Sequence, residues 1–320
     1  MARIATIGGA LQDIYLIDRD DFVSTEIGDQ SIFGQLIIGT KVDIDNISYE
    51  IGGGGANVAI SMARHGHESI LFANLANDSA GEAIISKLDN ENVDTSFTNF
   101  LPRKHTGSSV ILLDVKSGER TILTHRGASS KFDNFKADDL ELINPDWLYA
   151  TTLRGDMNTL MDFFEKAHSI GAKVMFNPGV AELNQPKLLI GLLSETDILL
   201  VNKQEAAKIT TGETLSELAY RLSNYVDTVI ITDSSMGGIA INKEEAYRFG
   251  IYEDVKVKDT TGAGDAFGSG FLAHLAAGKS FKDSLIFASA NSSSVVSKLG
   301  ANTGLLSGSE KLHQMPIQKI

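Results

Sequence analysis

The chain is 320 residues long, 42% hydrophobic and 22% charged, with a formal net charge of −13. That is enough apolar material for a large core, and the acidity opposes nonspecific binding to nucleic acid or to an anionic membrane surface. The absence of cysteine excludes disulfides, thiolate catalysis and Cys-based zinc sites, and without a run of about 18 apolar residues no membrane span is predicted.

In chain order, Arg3–Ile7 reads as a buried first strand running into Gly8-Gly9, not as a secretory signal. Asp13–Tyr49 alternates apolar and polar positions around Gly28, Gly34 and Gly39, with no helical period. A helix at Ala56–His65 precedes a strand at Ser69–Phe72 and a helix at Ala80–Asn92. Ser108–Thr124 reads as a hairpin, with strands Val110–Val115 and Arg120–Thr124 and a turn at Lys116-Ser117-Gly118-Glu119. Strands at 147–150, 172–176, 198–201 and 228–232 then alternate with helices at 157–170, 186–194 and 215–225. A helix at Ala263–Ala277 follows, and the weakly patterned Gly304–Ile320 predicts a closing turn and a short helix. This alternation predicts an α/β fold: a mostly parallel sheet with helices on both faces. The two β-rich interruptions are expected to join into a small sheet projecting from that body, two independent surface hairpins being the alternative. The expected organisation is a single domain over residues 1–320, with a lid built from the discontinuous segments 13–50 and 95–125.

The motif that carries chemistry is Asp259-Thr260-Thr261-Gly262-Ala263-Gly264-Asp265, at the start of a strongly helical stretch. The free N–H groups of a helix start point outward and carry partial positive charge. Gly262, Ala263 and Gly264 are small enough to let a phosphate approach that backbone, making an anion hole that needs no lysine. Asp265, in the first turn, is positioned to take a proton from an attacking hydroxyl. The same residues also suit an ordinary glycine-rich helix cap.

These residues resemble the C-terminal signature of the PfkB, or ribokinase-like, family of carbohydrate and nucleoside kinases. Gly52-Gly53-Gly54-Gly55-Ala56-Asn57 is similar to that family's N-terminal glycine-rich signature, Asn202-Lys203-Gln204-Glu205 to its Asn-x-x-Glu motif, and Asp13 to the acid that binds sugar hydroxyls. The four occur in the family's order over essentially the whole chain. The resemblance implies a Rossmann-like α/β body with a β-sheet lid and an ATP-dependent phosphotransfer to a sugar or nucleoside hydroxyl. It implies Asp265 as base, the 262–264 backbone as phosphoryl cradle, and substrate contacts from Asp13, Gly53, Gly54 and Asn57. Nucleotide contacts are expected from Asn202, Glu205, Thr232, Gly237 and Asn291, with Glu205 acting on Mg2+ through water. A K+ site would draw on Asp259, Thr261 and the Gly300–Thr303 turn. A soluble, cytoplasmic enzyme is expected, with a homodimer through the lid as a candidate assembly.

Three positions depart from the family pattern. Ser234 replaces the first glycine of the nucleotide-binding turn Thr232–Gly238, Ser129 replaces the Asn of a Gly-Ala-Asn segment, and Asn177 stands where Asp-Pro is common. Other look-alikes fail on context. Gly278-Lys279-Ser280 resembles the end of a phosphate-binding loop, but position 273 is Ala, and Gly268/Gly270 lie inside a helix where they favour close packing. A nucleoside substrate would call for an aromatic stacking partner, for which Tyr15, Phe22, Phe33 and Tyr49 are candidates.

Overall fold

A computed structural model of the chain describes residues 1–18, 24–27, 32–35, 39, 41, 44, 46–114 and 120–320. Its body is a ten-stranded sheet. From one edge the order is Ile317–Lys319, Ala246–Phe249, Gly238–Ile241, Thr228–Thr232, Ile198–Asn202, Lys173–Phe176, Trp147–Ala150, Arg3–Ile7, Glu68–Phe72 and Val93–Asp94. The seven strands from Thr228–Thr232 to Val93–Asp94 are parallel, and the remaining three pair antiparallel at the other edge. The chain builds outward from Arg3–Ile7 to one side, then returns to build the other side from Trp147–Ala150. The loops after these two neighbouring strands therefore diverge, which opens a crevice at their C-terminal ends.

Burial on both faces explains the strands' unbroken apolar runs; all four residues of Trp147–Ala150 are buried. The helix Met157–Ser169 shows how the flanking layers form. Asp156 caps it by accepting from the Thr159 N–H. Leu160, Phe163, Phe164 and Ala167 fall on one face and are fully buried. Phe163 meets Phe72 and Phe164 meets Phe176 edge-on, each with ring centroids 5.3 Å apart. Gly171, at φ +82°, then turns the chain into the next strand.

On the opposite face lie the helices Gly54–Arg64, Ala263–Ala276 and Phe281–Val296. Ala263–Ala276 is buried continuously from Ala266 to Ala273, so its pattern is apolar all round. Its two inner glycines serve close packing: a Cβ on Gly268 would strike the Tyr149 ring hydroxyl and come within 2.6 Å of Leu200, and one on Gly270 would lie 3.0 Å from Asn291.

The two β-rich interruptions do join. Arg120–His125, Gly107–Asp114, Leu11–Asp18 and Asn46–Gly52 form a separate four-stranded sheet in that order. The central pair is parallel and the outer pairs antiparallel. Ser24–Ile27 and Ile32–Gln35 form a two-stranded hairpin beside it in sequence, while Asn99–Phe100 pairs with Asn74–Leu75. Phe22, Gly28, the 116–119 turn and the side chain of Phe33 lie outside the described residues.

The expected C-terminal helix is a correction: the tail ends in the edge strand Ile317–Lys319. Too few apolar residues recur at helical spacing there, and the neighbouring strand offers a ladder instead. Gly250 N–H donates to Pro316 O at 2.7 Å and Ile320 N–H to Ala246 O at 2.9 Å.

Gly268→Ala is expected to lower stability by about 1–3 kcal/mol, because overpacking against Tyr149 outweighs the helix propensity gained. Urea unfolding followed by circular dichroism measures it; an unchanged midpoint would contradict the packing described.

Candidate active site

Glycines bring the backbone together at the crevice. A Cβ on Gly55 would lie 2.7 Å from the Gly8 carbonyl carbon, and one on Gly8 would overlap the Thr151 hydroxyl. Gly53, at φ +93°, turns the chain into the helix Gly54–Arg64 in a conformation that disfavours any side chain. The Ala56 N–H then donates to Gly9 O at 3.2 Å, tying this helix start to the loop after the first strand.

Asp265 enters from the second glycine-initiated helix. Gly262 is its left-handed cap at φ +76°, wedged against Ala301. Among the described residues no acceptor takes the N–H of Gly264 or Asp265, and the space over Gly264 is open. Unpaired donors over open space are the feature on which an anion hole would be built. The Asp265 carboxylate meets the glycine run from the other side: Oδ2 accepts from Asn57 Nδ2 at 2.8 Å, and Oδ1 would be 3.2 Å from a Cβ on Gly54. Burial raises the pKa of Asp265, and the Asn57 bond pulls it back. Asn57, expected in an open setting, is only 3% exposed. Its amide is engaged by Asp265 and, at 3.3 Å, by Asn302, so its visible work is to orient the carboxylate.

Asp13 lies on the inner face of the small sheet beside the same glycines; a Cβ on Gly52 would come within 2.6 Å of its carboxyl carbon. Burial pushes its pKa up to about 6; Ser109, its register partner, lowers it and the negative charge of Asp259 raises it further. Asp259 is also buried but shifts the other way. Burial raises it, and hydrogen bonds overcome that effect. Its Oδ1 accepts from Thr261 N–H and hydroxyl at 2.9 and 2.7 Å, and its Oδ2 from Tyr15 at 2.7 Å and Gly300 N–H at 3.2 Å. Asp259, Thr261 and the Gly300 turn are thus brought together.

On the far side of the anion hole opens a cleft of about 630 Å³. Asn202, Thr232, Gly237, Ala263 and Gly264 all line it, with Phe249, Val255, Phe267 and Val296 supplying apolar walls. Asn202 and Thr232 are register partners at the ends of adjacent strands. Asn202 and Glu205 form a reciprocal cap, each side chain accepting the other's backbone N–H at 2.9 Å. That cap uses Glu205 Oε2 alone. Burial raises the pKa of Glu205 and the Asn202 backbone lowers it.

Ser234 lies at φ +50°, a left-handed position that favours glycine, and Gly237 at φ +77° packs where a Cβ would strike Phe249 O. Ser129 ties its turn to the first loop, its hydroxyl donating to Ala10 O at 3.0 Å; Asn177 donates to Leu200 O at 2.8 Å. Asn291 is not among the residues lining this cleft. It is wholly buried, donating to Ala266 O at 2.7 Å and accepting from Leu306 N–H at 2.8 Å. Ser289, Ser292 and Ser293 of the same helix face the cleft instead. Sequence reasoning did not single out Thr151, although its place just past a buried strand was a signal; the tie of Tyr15 to Asp259 and that of Asn302 to Asn57 left none, because each spans more than 240 positions.

The Asp13 shift sets a pH dependence. Its folded pKa lies above its unfolded value, so its contribution to stability is full below about pH 4 and lost as pH rises through about 6. Between pH 4 and pH 8 the stability of Asp13→Asn relative to the parent should therefore rise by up to about 3 kcal/mol. Urea titrations at the two pH values measure this; a pH-independent difference would count against a buried, ionising Asp13.

The model of the pfkB family carbohydrate kinases matches residues 27–307. A ribokinase from Haemophilus influenzae is 28% identical over 279 residues, covering 83% of this chain and 88% of that protein. The structure of Arabidopsis thaliana ribokinase complexed with ribose and ATP superposes with a TM-score of 0.79 at 24% identity, covering 96% of each chain. Adenosine kinase from Sinorhizobium meliloti gives 0.77 at 19%, covering 96% of this chain and 95% of that one. With the family model matching most of its length, and two glycine-started helices meeting at Asp265, the chain belongs to the pfkB family of carbohydrate kinases, as an ATP-dependent sugar kinase.

Proposed function

We propose that Asp265 is the general base that activates a sugar hydroxyl for attack on the terminal phosphoryl group of ATP. The observation that carries this is the two-sidedness of one helix start. Its Ala263 and Gly264 backbone lines the large cleft, while its Asp265 touches the glycine run beside Asp13. ATP enters from the cleft with its phosphates toward the Gly264 and Asp265 N–H groups, and the sugar lies between the glycine run and the inner face of the small sheet. As the hydroxyl oxygen bonds to phosphorus, Asp265 takes its proton and the bond to the leaving ADP breaks. The raised pKa of Asp265 suits a base working near neutral pH. Asp13 holds the other hydroxyls, and the free N–H groups stabilise the charge that develops on the transferred group.

The cleft suits a nucleotide, with apolar walls for a base and open donors at one end. Magnesium would supply charge neutralisation of the phosphates, and Glu205, whose Oε1 has no partner among the described residues, would hold it through water. Potassium would draw on Asp259, Thr261 and the Gly300 turn, which lie together.

The small sheet serves as the lid of a single domain, and its two faces support that role. Asp13, Tyr15, Ser109 and Ile111 turn inward and are buried. Outward lie the register rows Leu123–Val110–Ile14–Tyr49 and Leu112–Leu16–Ile47. Tyr49 is 64% exposed and Leu123 57%, which favours a second copy of the chain as cover. A sugar is favoured over a nucleoside because Tyr15 is fully buried on Asp259 and Tyr49 faces outward, so neither offers a ring to a base.

Asp265→Asn should keep the Asn57 contact and the fold while lowering kcat by about 10²–10⁴-fold. A coupled assay for ADP release with a panel of pentoses, hexoses and nucleosides tests it. Near-normal turnover in the variant would refute the base; ATP use with no acceptor would point to a binding protein.

A further inference from the structure

Resting on the sugar-kinase reading, we infer that the substrate carries an anionic group, a phosphate or a carboxylate, and that Arg126 and Arg154 clamp it. The two residues come from opposite walls of the crevice. Arg126 follows the small-sheet strand Arg120–His125, and Arg154 follows the central strand Trp147–Ala150 at the switch point, three residues after the Thr151 that packs on Gly54.

The loop that carries Arg154 is built to hold it. Arg154 has φ +62° and Gly155 φ +82°, so an arginine occupies a left-handed position where a glycine would be less strained. The strain is held by Glu182, which is wholly buried. Its carboxylate accepts from Leu153 N–H at 2.9 Å, Gly155 N–H at 2.7 Å, Thr152 hydroxyl at 2.7 Å and Gly179 N–H at 2.9 Å. Gln185 adds a bond to Gly155 O at 2.9 Å. Backbone strain so fully fixed is a mark of functional loops.

Arg126 is rooted as firmly. Its carbonyl oxygen packs on Gly107, where a Cβ would be 2.7 Å away, and the next turn is tied to the first-strand loop through Ser129 and Ala10. Its guanidinium is half-buried. Burial lowers its pKa, the positive charge of Arg154 lowers it again, and Asp13 draws it back, so the three groups share one electrostatic neighbourhood.

Neither guanidinium has an ion pair or hydrogen bond to any described residue, whereas Arg3, Arg64, Arg221 and Arg248 all donate to side chains. Two unpaired like charges that act on each other beside Asp13, one of them half-buried, would be relieved by a bound anion. Planar guanidinium forks match carboxylate and phosphate oxygens. Asp13 would then hold hydroxyls and the arginines the charged end, which orients one hydroxyl toward Asp265.

The test measures binding apart from turnover. Calorimetry on the Asp265→Asn protein compares fructose 6-phosphate, ribose 5-phosphate and gluconate with fructose, ribose and glucose. At least one anionic ligand should bind ten-fold or more tighter than its neutral counterpart. Arg126→Gln and Arg154→Gln should each collapse that preference ten-fold or more, with Arg154→Lys intermediate, while thermal midpoints verify folding. The phosphate and carboxylate arms separate the two ligand types. Tighter binding of neutral sugars, no binding of any anionic ligand, or a preference indifferent to both variants overturns the inference. Turnover by the parent enzyme is read separately. If a neutral sugar is phosphorylated and no anionic one binds, the clamp falls and the kinase stands. If an anionic sugar binds through the arginines but is never phosphorylated, the kinase reading fails and the clamp stands.

Discussion

The site depends on the close meeting of two helix N-termini at one carboxylate. The helices Gly54–Arg64 and Ala263–Ala276 both begin at a glycine with positive φ, and the Asn57–Asp265 hydrogen bond joins them at 2.8 Å. Two helix starts directed at one point would repel through their partial positive charges. An aspartate between them relieves that repulsion, and the helix ends in turn favour its ionised form, while burial opposes it. The same positive ends that steady Asp265 are what a phosphoryl group would meet. Gly8 and Gly55 let the first loop and the helix start meet, and Gly54 leaves room for Thr151 and the Asp265 carboxylate.

The small sheet is coupled to that arrangement through Asp259. Tyr15, from the inner face of the sheet, donates to Oδ2; Thr261, one residue before the helix cap, donates to Oδ1; and Gly300, from the loop after the last helix, donates to Oδ2. One buried carboxylate thus links the sheet, the anion hole and the 300 loop. The period of two in Leu11–Asp18 makes this possible, because Asp13 and Tyr15 turn inward while Ile14 and Leu16 turn outward. A slip of one residue in register would exchange the two sets, turning Asp13 away from the crevice and losing the Tyr15 tie.

The alternation of strands and helices from Arg3 to Thr232 was legible because each strand is a short apolar run buried on both faces, and each helix repeats at 3.6 residues. The antiparallel edge was not, since Ile317–Lys319 takes its identity from the backbone ladder of Ala246–Phe249 and not from its own pattern. The glycine turns were legible because glycine is the signature of a backbone constraint. The bonds that orient Asn57 were not legible, and on the last helix Asn291 turns inward while Ser292, one position on, faces the cleft. Ser234 is the converse case: a residue other than glycine holds a left-handed position, which its type does not announce.

Chemistry and specificity are written in the sequence by different means. The phosphoryl-transfer machinery proposed here is mostly backbone, so its requirements appear as local runs of small residues and can be read over seven or eight positions. Specificity here rests on side chains whose positions are set from a distance. Arg154 stands where it does because Glu182, 28 residues on, accepts the N–H groups on either side of it. Arg126 stands where it does because Ser129 reaches back to Ala10. Neither relation leaves a local pattern, since each bond pairs a side chain with backbone that any residue type could supply. A family can therefore keep its reaction visible in every member's sequence while its substrate is decided by loops that become readable once the fold has brought them to the crevice.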